Sequence, residues 1–174
     1  MSVLDAGCGL HPRGDVNVDL FLDSTHRRRG KGASLTPSRI PNFVKADIRD
    51  MPMFPDRFFP VVRCHHVVEH IPDWWTALKE LWRITDEHLI IEVPSRYWLP
   101  FPKLRRSPHH VSNFDNQTLR AAIPMVLGTR NFEVTCRYRG MFSKLIPFPL
   151  WPHVIRVDVY RSNKEAKLRT SEKE

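Results

Sequence analysis

The sequence lacks what would hold it in a membrane or staple it covalently. No apolar run approaches the ~18 residues that a bilayer-spanning helix needs, and no segment repeats at a fixed period. Three cysteines are too few and too odd in number for a disulfide framework. Cys8, Cys64 and Cys136 are far apart, each in a strand-like run or the turn after one, and read as buried thiols of a reducing compartment rather than a zinc site. No charged-then-apolar leader precedes the first core strand, which predicts a cytoplasmic protein. Acidic residues are scarce too: 19 against 27 lysines and arginines gives a net charge of +8. That balance suits phosphates, nucleic acid or an anionic membrane leaflet, or is simply a solvated basic surface.

The remaining composition is that of an ordinary globular chain, 41% hydrophobic and 26% charged over 174 residues. A chain of this length buries about 70% of its unfolded surface as one domain. We expect that domain over residues 1–161, followed by a charged, frayed tail over 162–174. Prolines fall thickly from Pro37 onward, so short elements with tight connections should follow.

The first stretch sets the pattern. Val3-Leu4-Asp5-Ala6 is an apolar strand that runs into Gly7-Cys8-Gly9, and two glycines one residue apart allow a sharp bend with no side chain between turn and ligand. A short strand, Val16-Asn17-Val18, ends in Asp19, and a carboxylate there can accept hydrogen bonds from both vicinal hydroxyls of a ribose. Ser24 to Ser38, with His26-Arg27-Arg28-Arg29-Gly30-Lys31-Gly32, is a basic surface loop, either an anion-binding element or a solvated insertion.

Further strands are expected at Phe43–Ala46, closed by Asp47-Ile48, at Val61–His65 and at Leu89–Pro94. Asp73 opens a helix to Ile84, with Trp74, Ala77, Leu78, Leu81 and Trp82 on one core-facing stripe. Asp115 to Leu127 supports a second helix that Pro124 interrupts. Phe132–Tyr138 and Val154–Tyr160 alternate as closing strands. The result is an α/β fold: a Rossmann-like, doubly wound, mostly parallel sheet with an antiparallel edge. Ligands in such sheets sit at the carboxyl ends of the strands, where Gly7, Gly9, Asp19, Asp47 and His65 converge.

These residues resemble the class I S-adenosylmethionine-dependent methyltransferases, especially the type 11 group, over nearly the whole chain. Val3 to Gly9 resembles the first family motif, Asp19 the ribose acid, and Asp47 with Met51-Pro52 the adenine-contacting acid and its turn. His65 to Ile71 is similar to the family's His-Val-Leu-Glu-His-Ile segment. His110-Val111-Ser112-Asn113-Phe114 is similar to its histidine-plus-aromatic segment, and Phe132-Glu133-Val134 to its Gly-Phe-Glu-Val strand. The resemblance implies S-adenosylmethionine as cofactor, held by Asp5, Gly7, Gly9, Asp19, Leu20, Asp47, Ile48 and His65.

The chain departs from the family between Gly9 and Asp19, where a helix is usual and only a loop with Pro12 and Gly14 fits. That start resembles a subgroup presumed to act on glycans or cell-surface precursors. With no helical cover before the first strand, the cofactor is either more exposed or covered by a partner, and an oligomer or a partner subunit is open. Pro60 stands where an acid commonly opens strand four, and Asp86-Glu87-His88 replaces a Gly-Gly turn.

For methyl transfer to an alcohol, a neutral histidine is a suitable proton acceptor near neutral pH, and His65, His66 and His70 are the catalytic candidates. On a helix, His66, Glu69 and His70 would share one face at i, i+3, i+4, with His110 as a fourth donor. This is similar to the Glu-x-x-Glu-His of metal-dependent small-RNA and ubiquinone-pathway O-methyltransferases; the alternative is that Glu69-His70 caps and packs the turn. Tyr97, Trp98, Lys103, Arg105 and Arg106 suit stacking on bases or sugars and pairing with phosphates. Met141 to Trp151 reads either as a lid or membrane-surface contact, or as packing against the sheet. Three functions therefore stand: methylation of an O or N atom of a small or glycan-like acceptor, RNA methylation, or a non-catalytic cofactor- or nucleic-acid-binding subunit.

Overall fold

The alternation along each strand decides which side of the sheet it can bury. A computed structural model describes residues 2–9, 11–20, 40–95, 110–137 and 154–161. The basic segment 24–38, the aromatic and basic residues from Arg96 to Pro108, the apolar stretch 141–151 and the tail 162–174 lie outside the described residues. So do Leu10 and Tyr138.

Seven strands form one sheet: β1 (Val3–Ala6), β2 (Val16–Asp19), β3 (Phe43–Lys45), β4 (Phe59–His65), β5 (Thr85–Pro94), β6 (Phe132–Arg137) and β7 (Val154–Tyr160). Their order is β3-β2-β1-β4-β5-β7-β6. The first five are parallel, and β7 inserts antiparallel between β5 and β6. The expected mostly parallel sheet with an antiparallel edge is therefore what forms.

Register assigns the two faces, because successive side chains on a strand point to opposite sides. Leu4 pairs with Val16 and Val62, Val62 with Leu89, and Leu89 with Val159, and this row lies on the apolar face. Helices α1 (Trp74–Ile84) and α2 (Asn116–Leu127) pack there through Ala77, Leu78, Leu81, Ile84, Leu119 and Ile123, in one continuous core with Val62, Ile91, Val93 and Val157. The opposite row is polar. Asp5 pairs with Asn17 and Arg63, and His65 with Glu92, which pairs in turn with Arg156.

Three ion pairs and hydrogen bonds run along this polar row. Arg156 reaches Glu92 at 3.6 Å and Asp158 at 2.7 Å, and Asp158 meets His88 at 2.9 Å. Burial pushes the Asp158 carboxyl up, but hydrogen bonds from His88 and Arg156 outweigh it and hold the group well below the usual carboxylate range.

Two departures from the expected elements have local causes. Pro124 lies inside α2 without ending it; the helix stops at Gly128, left-handed at φ 68°, whose N–H returns to the Pro124 carbonyl. The segment after His65 forms only a three-residue 3-10 turn, Val68–His70. Ile71, preceding Pro72, is extended, as steric conflict with the proline ring requires, so no longer helix fits. The i, i+3, i+4 helical face expected for His66, Glu69 and His70 is therefore not built.

Candidate functional site

Because β1 to β4 run parallel, their carboxyl ends share one rim, and Gly7, Gly9, Asp19 and His65 lie along it. The turn after β1 is braced by β2: the N–H groups of Gly7 and Cys8 both donate to the Val18 carbonyl, at 2.7 and 3.0 Å. Gly7 sits at φ 76°, and a Cβ there would come within 2.2 Å of the Val67 side chain. Gly9 also has positive φ, 54°, but among the described residues no atom lies within 4 Å of where its Cβ would be. The first glycine is thus required by packing, and the second opens onto space. Beside that space, Asp19 Oδ2 accepts the Gly9 N–H at 3.0 Å.

A loop stands in for a helix between these strands. The Asp15 N–H donates to the Val3 carbonyl, and the Val3 N–H to Asp15 Oδ2, both at 2.8 Å. Asp5 is buried and turned to this loop, accepting the Arg13 N–H at 2.8 Å. Burial raises its pKa more than that hydrogen bond and the nearby His65, Arg13 and Arg63 lower it. Asp5 braces the loop beneath the turn. Cys8, buried beside Asp19 and Asp5, has its thiol pushed up to about 12, by desolvation first and by those carboxylates second. It is a packed thiol.

Asp47 follows β3 and bridges to Asp50. Its carboxylate takes both Nε and Nη2 of Arg49, the shortest contact being 2.6 Å, and this pairing lowers its pKa. Ile48 is buried in the core, and Leu20 is half-buried after Asp19.

At the end of β4, His65 Nδ1 stands 3.3 Å from Glu92 Oε2, across the β4–β5 register pair. Its Nε2 is buried with no hydrogen-bond partner among the described residues. Glu92 was not among the residues singled out from sequence. Its only signal there is a carboxylate inside an otherwise apolar run, and its partner follows from register between strands. His66 lies beyond the strand at φ 56° with its side chain half exposed. His70 and His110 meet edge to face, ring centroids 4.9 Å apart.

A cavity of about 570 Å³ lined by Arg57, Trp82, Asp86 and Arg161 lies at the opposite end of the strands, away from these groups. Residues 16–88 match a family model described as a methyltransferase domain. Over those residues the chain resembles a methyltransferase domain, and its fold is that of the class I S-adenosylmethionine-dependent methyltransferases.

The methyltransferase fold extends beyond that match. A SAM-dependent methyltransferase from Archaeoglobus fulgidus superposes with a TM-score of 0.66 at 18% identity, covering 91% of this chain and 85% of its own. Magnesium protoporphyrin IX methyltransferase from Synechocystis with bound SAM gives 0.52 at 18% identity, covering 92% of this chain and 70% of its own. A Haloferax volcanii complex of the Trm112 methyltransferase activator with a putative methyltransferase gives 0.53 at 14% identity, covering 90% and 81%. No curated protein matches. Among the described residues no helix is long and apolar enough to cross a membrane.

The chain's own residues fit a nucleoside cofactor. Gly9 leaves open space at a turn whose neighbouring carboxylate, Asp19, offers acceptor lone pairs to vicinal hydroxyls.

Proposed function

We propose that this methyltransferase holds S-adenosylmethionine over Gly7 and Gly9 and moves its methyl group to an O or N atom of a small-molecule or glycan-like acceptor. Asp19 would bind the ribose and Asp47 the adenine amino group, with Leu20 and Ile48 lining the nucleoside. Asp5 acts from behind, by holding the loop under the turn. The bound cofactor supplies an electrophilic methyl on a sulfonium, and the chain's task is to align the acceptor with it, which can supply much of the acceleration.

The observation that carries the acceptor chemistry is the His65–Glu92 pair. A carboxylate at 3.3 Å from Nδ1 favours the tautomer whose proton sits there, leaving the buried Nε2 as an acceptor. Nε2 would take the acceptor's hydroxyl or ammonium proton, and Glu92 would stabilise the imidazolium that results. His66 and His70 flank the same end of β4 and would line the acceptor's approach.

The net charge of +8 supports RNA as the second acceptor class. The Trm112 complex supports a partner subunit as a further requirement in this chain. Incubation with S-adenosylmethionine labelled at the methyl group, in a cell extract fractionated into small molecules, glycans and RNA, tests the choice. Label in the small-molecule or glycan fraction is the expected result. Label confined to RNA overturns it.

A further inference from the structure

Glu69 is 1% exposed, yet its carboxyl oxygen Oε2 has no hydrogen-bond partner among the described residues. A buried carboxylate oxygen left in that state costs several times what an ordinary hydrogen bond contributes, so its surroundings should hold something that answers its charge. Among the described residues, the charged partners that face it are histidines. His66 Nδ1 lies 3.5 Å and His70 Nε2 3.8 Å from the other oxygen, Oε1.

His110 arrives from far along the chain, and the backbone holds it there. The N–H groups of Val111 and Ser112 both donate to the Glu69 main-chain carbonyl, at 3.0 and 3.1 Å. Phe114, buried against Trp74, anchors the same segment. One donor atom from each of Glu69, His70 and His110 then falls within 4.8 Å of the others.

We propose that Glu69, His70 and His110 form a binding site for a divalent transition-metal ion of the zinc or iron(II) type. Two imidazoles and one carboxylate are a donor set for such ions, whereas magnesium and calcium prefer oxygen ligands. Donors about 2.0–2.2 Å from one ion must close up slightly from their present spacing. Small rotations of the two imidazoles suffice, because His70 and His110 are only partly buried. The same exposure gives the ion a way in. His66 contacts Oε1 from the side and is not part of the set, since the missing helix leaves it outside the cluster of three.

The test reads metal binding, so its outcome is separate from that of the methyl-transfer reading. Full-length protein is freed of metal with chelator and titrated calorimetrically with zinc, and by visible absorption with cobalt(II). One site per chain is expected, with no competition from magnesium, and His110→Ala or His70→Ala should weaken it at least tenfold. Glu69→Gln should do the same; because Glu69 is buried, far-UV circular dichroism must show that this variant folds, and the exposed-side His110→Ala decides if it does not. Zinc should raise the thermal midpoint of the native protein and not that of His110→Ala. Absence of zinc binding, or equal affinity in folded His110→Ala, overturns the site.

Discussion

Asn17 and Gly14 are joined by two hydrogen bonds: the Asn17 side chain accepts the Gly14 N–H at 3.1 Å and donates to the Gly14 carbonyl at 3.0 Å. A third bond runs from Asn17 Nδ2 to the Pro41 carbonyl at 2.8 Å. One fully buried amide thereby ties β2, the loop before it and the entry to β3. Through Asp19 at the end of β2, the same strand carries the Gly9 turn.

Asn17→Ala should therefore unfold at lower urea. It removes the three hydrogen bonds of a fully buried amide and leaves a void in its place, at about 1–3 kcal/mol. A variant as stable as the native protein would show that the loop is held by other contacts.

The three glycines of this region should behave differently. Gly14→Ala would place a Cβ 2.6–2.8 Å from three backbone atoms, and Gly7→Ala would strike Val67, so both should lose stability. Gly9→Ala meets nothing among the described residues and should cost only about 1 kcal/mol for its positive φ, while weakening S-adenosylmethionine binding by filling the space above the turn. Thermal denaturation alongside calorimetric titration separates the two effects.

Much of this architecture is legible in the sequence because it depends on local pattern. The Val3–Gly9 turn, the α1 stripe and the Asp115 cap, whose Oδ1 accepts the Thr118 N–H at 2.7 Å, need only neighbouring residues. What escaped depends on residues far apart. Apolar runs marked only the inner parts of β4 and β5; both begin earlier, and Thr85 enters β5 directly from α1 with its hydroxyl on the Leu81 carbonyl at 2.6 Å. The partnership of His65 with Glu92 exists only through strand register. His66 to His70 has helical spacing, but Pro72 limits it to one 3-10 turn.

Acid should destabilise the fold through Asp158 and Glu80. Glu80 is lowered from its ordinary 4.5, chiefly by the Arg83 hydrogen bond, and Asp158 from 3.8. A carboxyl with a depressed folded pKa contributes stability that is present above its unfolded pKa and lost as pH falls through the folded value. Urea midpoints should therefore drop below about pH 4.5, and Asp158→Asn should flatten part of that drop. An unchanged profile in the variant would contradict the ion-pair row.

At the alkaline end, the raised Cys8 thiol works in the other direction. Its contribution is fully present below its ordinary value of 9.0 and is lost as pH climbs toward about 12. Iodoacetamide at neutral pH should leave Cys8 and the fully buried Cys64 unmodified in the folded protein. Rapid labelling of either would show that the turn opens.

His65→Asn should lower kcat by about 10²–10⁴ on an alcohol acceptor with little change in cofactor affinity. Glu92→Gln should lower kcat less and shift the pH–rate profile, as expected of a residue acting through His65. Equal kcat in both variants and the native protein would remove the proton-transfer role.

The most direct measurement is calorimetric titration of S-adenosylmethionine into the native chain and into Asp19→Asn. The account predicts one site per chain in the native protein and an affinity at least tenfold weaker in the variant. No binding by the native chain, or equal affinity in both, would contradict it.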